Sequence, residues 1–71
     1  MKGTVIRILP NKGFGFIRGE DGLSRFMHAS TVQPRAAFDT MREGQCVEFD
    51  PTEDGPLDKG NGLRAENVRP E

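Results

Sequence analysis

Turn-forming residues interrupt this chain so often that a long helix has no room to form. Nine glycines and five prolines are spread over 71 residues, and the longest stretch free of both is eleven residues. Isolated helices of that length are marginal in water, whereas strands are usually shorter than this. Between the turn signals lie β-branched, apolar or alternating segments, which predict strands. There are five of them: Gly3–Leu9, Phe14–Arg18, Arg25–Ala29, Gln45–Asp50 and Gly62–Arg69.

The pattern predicts an all-β fold built as one domain over residues 1–71. Only residues 35–43 could hold a helical turn, with Pro34 as a possible first-turn residue. Five short strands in an open sheet would leave exposed edges, so we expect a closed or nearly closed barrel. A chain of this size buries about 60% or a little more of its unfolded surface, which leaves a small margin of stability.

Composition excludes several classes of protein. No apolar run approaches the roughly 20 residues of a membrane-spanning helix, and Met1-Lys2-Gly3 is not followed by a secretory apolar core. We therefore expect a soluble, cytoplasmic protein. The single cysteine, Cys46, fits a reducing compartment and is expected to be an ordinary half-buried side chain.

The net charge of −1 conceals two unlike halves. Residues 1–35 carry six Lys or Arg and two Asp or Glu, which gives a net charge of +4. Residues 36–71 carry four Lys or Arg and nine Asp or Glu, which gives a net charge of −5. A basic half can contact phosphates, while an acidic half favours solubility and repels unwanted polyanions. The distribution is therefore compatible with a nucleic-acid ligand.

The most informative segment is Lys12–Arg18. Because strand side chains alternate, Lys12, Phe14, Phe16 and Arg18 would share one face, and Gly13, Gly15 and Ile17 the other. Glycines on an inner face suit a strongly coiled strand pressed against neighbouring backbone. Exposing a Phe forfeits roughly 1.5–3 kcal/mol, so two outward rings indicate that they stack on bases, with Lys12 and Arg18 neutralising phosphates. The alternative, in which both rings form the core, would turn the two charged ends inward.

A second strand supports this interpretation. Phe26 and His28 would share a face, and an imidazole also stacks on bases. Taken alone, His28 could equally be a structural histidine or a lone metal ligand. Beside Phe26 and the Lys12–Arg18 segment, a base-contacting role is favoured.

These motifs resemble those of the bacterial cold-shock protein family. Lys12-Gly13-Phe14-Gly15-Phe16-Ile17 is similar to the family's first ribonucleoprotein motif, and Phe26-Met27-His28 resembles the second. The likeness continues in Met1–Val5, Glu43–Phe49 and Ala65–Val68. It implies a five-stranded antiparallel OB-fold barrel that binds single-stranded RNA or DNA without a cofactor, as a monomer that keeps RNA strands unpaired. An RNA-recognition motif shares the core pattern but carries it on a third strand after a helix, so that fold is rejected.

The chain departs from the family at several positions. Arg7 stands in place of a usual exposed tryptophan and Ala29 in place of a phenylalanine, although a guanidinium can also stack on a base. Arg25 replaces an inward valine and is expected to reach the barrel end or find an acid. The resemblance implies ligand contact for Phe38, with a hydrophobic plug as the alternative. Lys59 and Arg64 are further candidates near the same rim, or plain solvated charges.

Two functions from different classes remain. The first is a single-stranded nucleic-acid-binding protein, acting as an RNA chaperone or as a regulator of transcription or translation. The second is a protein-interaction or regulatory module on the same barrel with weakened nucleic-acid affinity, suggested by the two missing aromatics. The sequence has no phosphate loop, nucleophile constellation or metal-ligand spacing, so an enzyme is not expected.

Overall fold

Five strands form where the turn pattern predicts them, and the first and last residues of each strand lie within two residues of the predicted ones. The computed structural model describes residues 1–53, 55 and 61–71. Within the predicted 35–43 segment, α1 is a single turn, Ala37–Thr40, and two unpredicted 3-10 turns span Pro10–Lys12 and Ala29–Thr31. The strands are β1 (Lys2–Leu9), β2 (Phe14–Gly19), β3 (Ser24–His28), β4 (Cys46–Thr52) and β5 (Arg64–Pro70).

The strands close into a barrel in the order β1-β2-β3-β5-β4, with β4 pairing back onto β1. This confirms the all-β, five-stranded OB-fold barrel, with one correction, because the barrel is not wholly antiparallel. Phe26 of β3 pairs in parallel with Arg64 of β5. An odd number of strands cannot alternate in direction all the way around a closed ring, so one neighbouring pair must run in the same direction.

The barrel interior is filled by the inward side chain of alternate strand residues. Phe38 and Met41, from α1 and the residue after it, join this core at 4% and 5% exposure. Among the described residues no helix is long and apolar enough to cross a bilayer. Among the side chains that the structure describes, the largest fully buried ones are Phe49, Ile17, Met27, Val5, Val32, Val47 and Val68.

A β-bulge in β1 determines which side chains of that strand face outward. Val5 pairs with Ile17 of β2, but Arg7 pairs with Phe16, so Ile6 is an extra residue between the two pairings. Strict alternation from the buried Val5 would turn Arg7 inward. The extra residue reverses the phase, as bulges do when they re-aim a side chain. Arg7 is therefore exposed.

Two glycines of the first motif have different structural roles. Gly15 faces the barrel interior as predicted, and a Cβ there would lie 2.5 Å from the Arg7 carbonyl oxygen. Gly13 was expected on the same inner face, and that expectation is wrong. It ends the Pro10–Lys12 turn with φ of 75°, and a Cβ would have no neighbour within 4 Å. Its role is the left-handed backbone, which glycine adopts without steric penalty.

Cys46 is exposed rather than half-buried. Val47 and Phe49 take the inward positions of β4 at 0% exposure. Alternation along the strand then turns Cys46 outward.

Candidate nucleic-acid interface

The first motif presents its rings to the outside of the barrel. Phe14 and Phe16 are half-buried and Arg18 is exposed, whereas Ile17, between Phe16 and Arg18, is fully buried. The predicted orientation of β2 is thus the one that the structure has. Lys12 is also exposed, but it lies in the 3-10 turn that leads into β2 rather than on the strand itself.

Strand register aligns four side chains in one row across the outer face. Arg7 pairs with Phe16, Phe16 pairs with Phe26, and Phe26 pairs with Arg64. Residues that are paired across neighbouring strands point to the same face. The row therefore has two phenylalanines in the middle and an arginine at each end.

A second row runs beside the first. Leu9 pairs with Phe14, and Phe14 pairs with His28. Both rows are contributed by residues far apart in the sequence, which the barrel brings onto one surface. We call the four rings of the two rows the aromatic patch: Phe14, Phe16, Phe26 and His28.

The rings of the aromatic patch brace one another. Phe16 meets Phe14 and Phe26 edge to face, each with centroids 6.0 Å apart, and Phe14 lies 5.4 Å from Phe26 at 32°. Such arrangements are favourable for ring quadrupoles. Phe26 is only 8% exposed, yet it is not part of the interior core cluster. Little of the Phe26 ring is therefore open to stacking, because it packs against Phe14 and Phe16, and its ligand contact stays a prediction.

His28 is held in one orientation by the turn that follows β3. Its Nδ1 accepts a hydrogen bond of 3.1 Å from the Ser30 backbone N–H and lies 2.8 Å from the Ser30 hydroxyl. In a neutral imidazole one nitrogen accepts while the other carries the proton. The neutral ring therefore has its proton on Nε2, which is left to donate to a ligand.

The cations around the aromatic patch fall into two groups. Arg7, Lys12 and Arg18 form no ion pair with any residue that the structure describes. Arg64 differs, because its Nε lies 3.0 Å from Glu66 Oε1. Lys59 lies outside the described residues.

Phe38 is buried. Its ring is 4% exposed and belongs to the core cluster together with Met41 and Ala29. This burial favours the alternative, a hydrophobic plug under the loop, and the ligand contact that the resemblance implies stays a prediction. A one-turn helix buries little by itself, so its apolar side chain is needed to complete the small core.

The buried Arg25 has found an acid, as expected. Its Nη1 and Nη2 donate to Asp21 at 3.0 Å and 2.6 Å, and its guanidinium lies 5.5 Å from the Phe49 ring centroid. The Arg25 hydrogen bond, aided by the Leu23 backbone N–H, lowers the pKa of Asp21 to about 2. In turn, the hydrogen bond to Asp21 raises the pKa of Arg25. Arg25 thus contributes to one end of the barrel and not to the aromatic patch.

Sequence reasoning missed two residues of this surface, Glu66 and Ser30. The signal for Glu66 was present, because a buried Ala65 puts Arg64 and Glu66 on the same outward face of β5. Ser30 could have been found as a residue two positions beyond His28, close enough for a local side-chain hydrogen bond.

Comparisons with known proteins agree with this geometry. A family model described as the 'Cold-shock' DNA-binding domain matches residues 1–71. Cold shock protein 2 of Lactiplantibacillus plantarum is 45% identical over 69 residues, which cover 97% of this chain and 96% of that protein. A cold shock-like protein of Aquifex aeolicus is 42% identical, with 96% and 90% covered, and the cold shock-like protein CspC of Bacillus cereus is 41% identical, with 96% and 95% covered. The chain is a nucleic-acid-binding barrel and belongs to the cold-shock domain family.

Proposed function

We propose that this protein binds unpaired RNA or DNA strands on the aromatic patch and acts as an RNA chaperone or as a regulator of transcription or translation. Bases stack on Phe14 and Phe16, which Phe26 supports. The His28 Nε2–H donates to the strand, and the flanking cations neutralise its phosphates. Trapping the unpaired state shifts RNA away from its folded forms by mass action.

The row from Arg7 through Phe16 and Phe26 to Arg64 carries this proposal. Burying a phenylalanine stabilises a protein by roughly 1.5–3 kcal/mol, so half-exposed rings in a 71-residue chain are expensive unless they bind something. Base stacking returns about 1–3 kcal/mol per base and tolerates any base, because every base has a π-face. The arginine at the β1 end of the row, Arg7, suits a strand whose phosphates lie outside its stacked bases.

The free cations set the expected dependence on salt. Neutralising one phosphate of a single strand contributes a slope of roughly −0.7 to the plot of log K against log salt concentration. Three contacts, through Arg7, Lys12 and Arg18, predict a slope of about −2. Binding that depended on charge alone would vanish at high salt, whereas stacking should leave measurable affinity there.

The test is a titration of fluorophore-labelled single strands and matched duplexes at several salt concentrations, since the chain has no tryptophan to quench. The double variant Phe14→Ala, Phe16→Ala should lose about 2–6 kcal/mol of binding free energy. Leu23→Ala is the control, because Leu23 is 49% exposed but lies outside both rows. Arg7→Gln should reduce the salt slope by about 0.7, and Arg42→Gln, exposed in a loop beyond α1, should not.

Two results would contradict the proposal. A folded protein that ignores single strands at low salt would favour the rival, an interaction module that has lost nucleic-acid affinity. Equal binding by the double phenylalanine variant and by Leu23→Ala would place the ligand elsewhere on the barrel.

A further inference from the structure

The β5 border of the aromatic patch carries an acid next to an arginine. Glu66 Oε1 lies 3.0 Å from Arg64 Nε, and the two side chains are 36% and 29% exposed. Arg64 pairs in parallel with Phe26. Two residues further along both strands, Glu66 and His28 follow on the same outer face.

The Glu66 carboxylate determines which part of a nucleic-acid strand can lie at this border. Glu66 is the only acid in β2, β3 and β5, all of whose residues are described. It repels a phosphate, so at this border a base edge rather than the strand's backbone is the favourable neighbour.

The pair also offers donors beside acceptors. The Arg64 Nη groups form no hydrogen bond with a described residue. A carboxylate has about four acceptor sites. Although Arg64 Nε is close to Glu66, it makes no hydrogen bond with any residue of the described ranges, so the Glu66 acceptors remain available to a ligand.

Guanine is the base whose edge complements this pair best. Its carbonyl O6 is adjacent to two donors, N1–H and the N2 amino group. Uracil has one donor between two carbonyls, whereas cytosine and adenine each offer one amino donor. In duplex DNA, the commonest specific contact is also an arginine or lysine that donates to guanine O6 and N7.

We propose that Arg64 and Glu66 form a guanine-selective subsite at the edge of the aromatic patch. Arg64 donates to O6 while Glu66 accepts from N1–H and the N2 amino group. This inference rests on the proposed function, because the strand must first be held by stacking. It adds selectivity at one position to a surface that otherwise accepts any base.

The experiment measures the coupling between Glu66 and the guanine N2 amino group. Labelled U-rich hexanucleotides carry a single guanine at successive positions, or inosine, which lacks that amino group, at the same positions. At one position the wild-type protein should prefer guanine to uracil by about 5- to 150-fold and should prefer guanine to inosine. Glu66→Ala should bind guanine and inosine alike, because alanine has no acceptor for the N2 amino group and the cycle isolates the interaction that both changes remove.

Glu48→Ala is the matched control. Glu48 also pairs with an arginine, Arg69 at 3.7 Å, and its loss changes the net charge equally, but it lies on β4 outside the aromatic patch. It should keep the full preference for guanine. A guanine-to-inosine ratio unchanged in Glu66→Ala, or no guanine preference at any position, overturns this proposal while leaving single-strand binding intact. Absence of binding to every hexanucleotide would instead refute the proposed function itself.

Discussion

Gly15→Ala tests the orientation of β2 on which the interface depends. The added methyl would lie 2.5 Å from the Arg7 carbonyl oxygen, 3.1 Å from Ile8 Cδ1 and 3.2 Å from Met27 Cε. The two side-chain ends can move, but a backbone carbonyl held in the β1–β2 ladder cannot do so cheaply. Overpacking of this kind typically destabilises by about 1–3 kcal/mol. Alanine also reduces the conformational entropy of the unfolded chain, which would stabilise the protein by only about 0.4–1 kcal/mol.

The steric clash should outweigh the entropic gain, so Gly15→Ala should lower the free energy of unfolding by about 1–2 kcal/mol. For a domain of this size each kcal/mol corresponds to roughly 4–8 °C in Tm, so thermal and urea unfolding will both resolve the effect. Gly13→Asn is the control, because Gly13 has φ of 75° and open space around it, and Asn tolerates that backbone. If the rings were inside, the Gly15 methyl would face solvent. A Gly15→Ala variant as stable as the wild type would refute the assignment of faces.

Three further predictions concern the barrel. Arg25→Val should lower stability in urea unfolding, because it removes one partner of the ion pair and leaves Asp21 without its cation; unchanged or increased stability would contradict this. The pKa of Asp21 is lowered from its usual value of 3.8 to about 2. The ionised carboxylate therefore contributes its full share of folding stability above pH 3.8, and this share is lost as the pH falls towards 2. In Asp21→Asn, stability should depend less on pH across that window. Asn67, at φ of 49°, should tolerate Gly better than Ala, whose left-handed backbone costs about 1–2 kcal/mol; equal unfolding midpoints for the two variants would argue against backbone strain there.

Local alternation was enough to predict most of the strands and the face of β2. In that segment glycines and rings alternate without interruption, so the phase can be read from Gly15, Phe16 and Ile17 alone. The same reasoning applied to β4 would have placed Cys46 outside, since Val47 and Phe49 are inside. The expectation of a half-buried Cys46 rested on its being a single cysteine and not on this pattern, and the local pattern was right.

Features that depend on several strands at once could not be predicted in this way. Phe26 has the same outward phase as Phe16, but its exposure depends on how Phe14 and Phe16 fold over it. Phe38 has no strand phase at all, and its burial follows from the space that the closed barrel leaves for α1. Motif resemblance locates such residues in the chain without determining how much of each ring is covered.

The bulge at Ile6 connects the fold to the selectivity of the surface. Without that extra residue Arg7 would follow the phase of Val5 into the core, and the row across β1, β2, β3 and β5 would begin at Phe16 instead of at a cation. With it, Ile8 packs against the core while Arg7 stands beside Phe16. One end of the row then carries an arginine with no described ion partner, and the other carries Arg64 beside Glu66. In the proposed interface, a strand lying across this row would meet positive charge at one border and a mixed donor and acceptor pair at the other, so we expect the first border to bind phosphate and the second to distinguish bases.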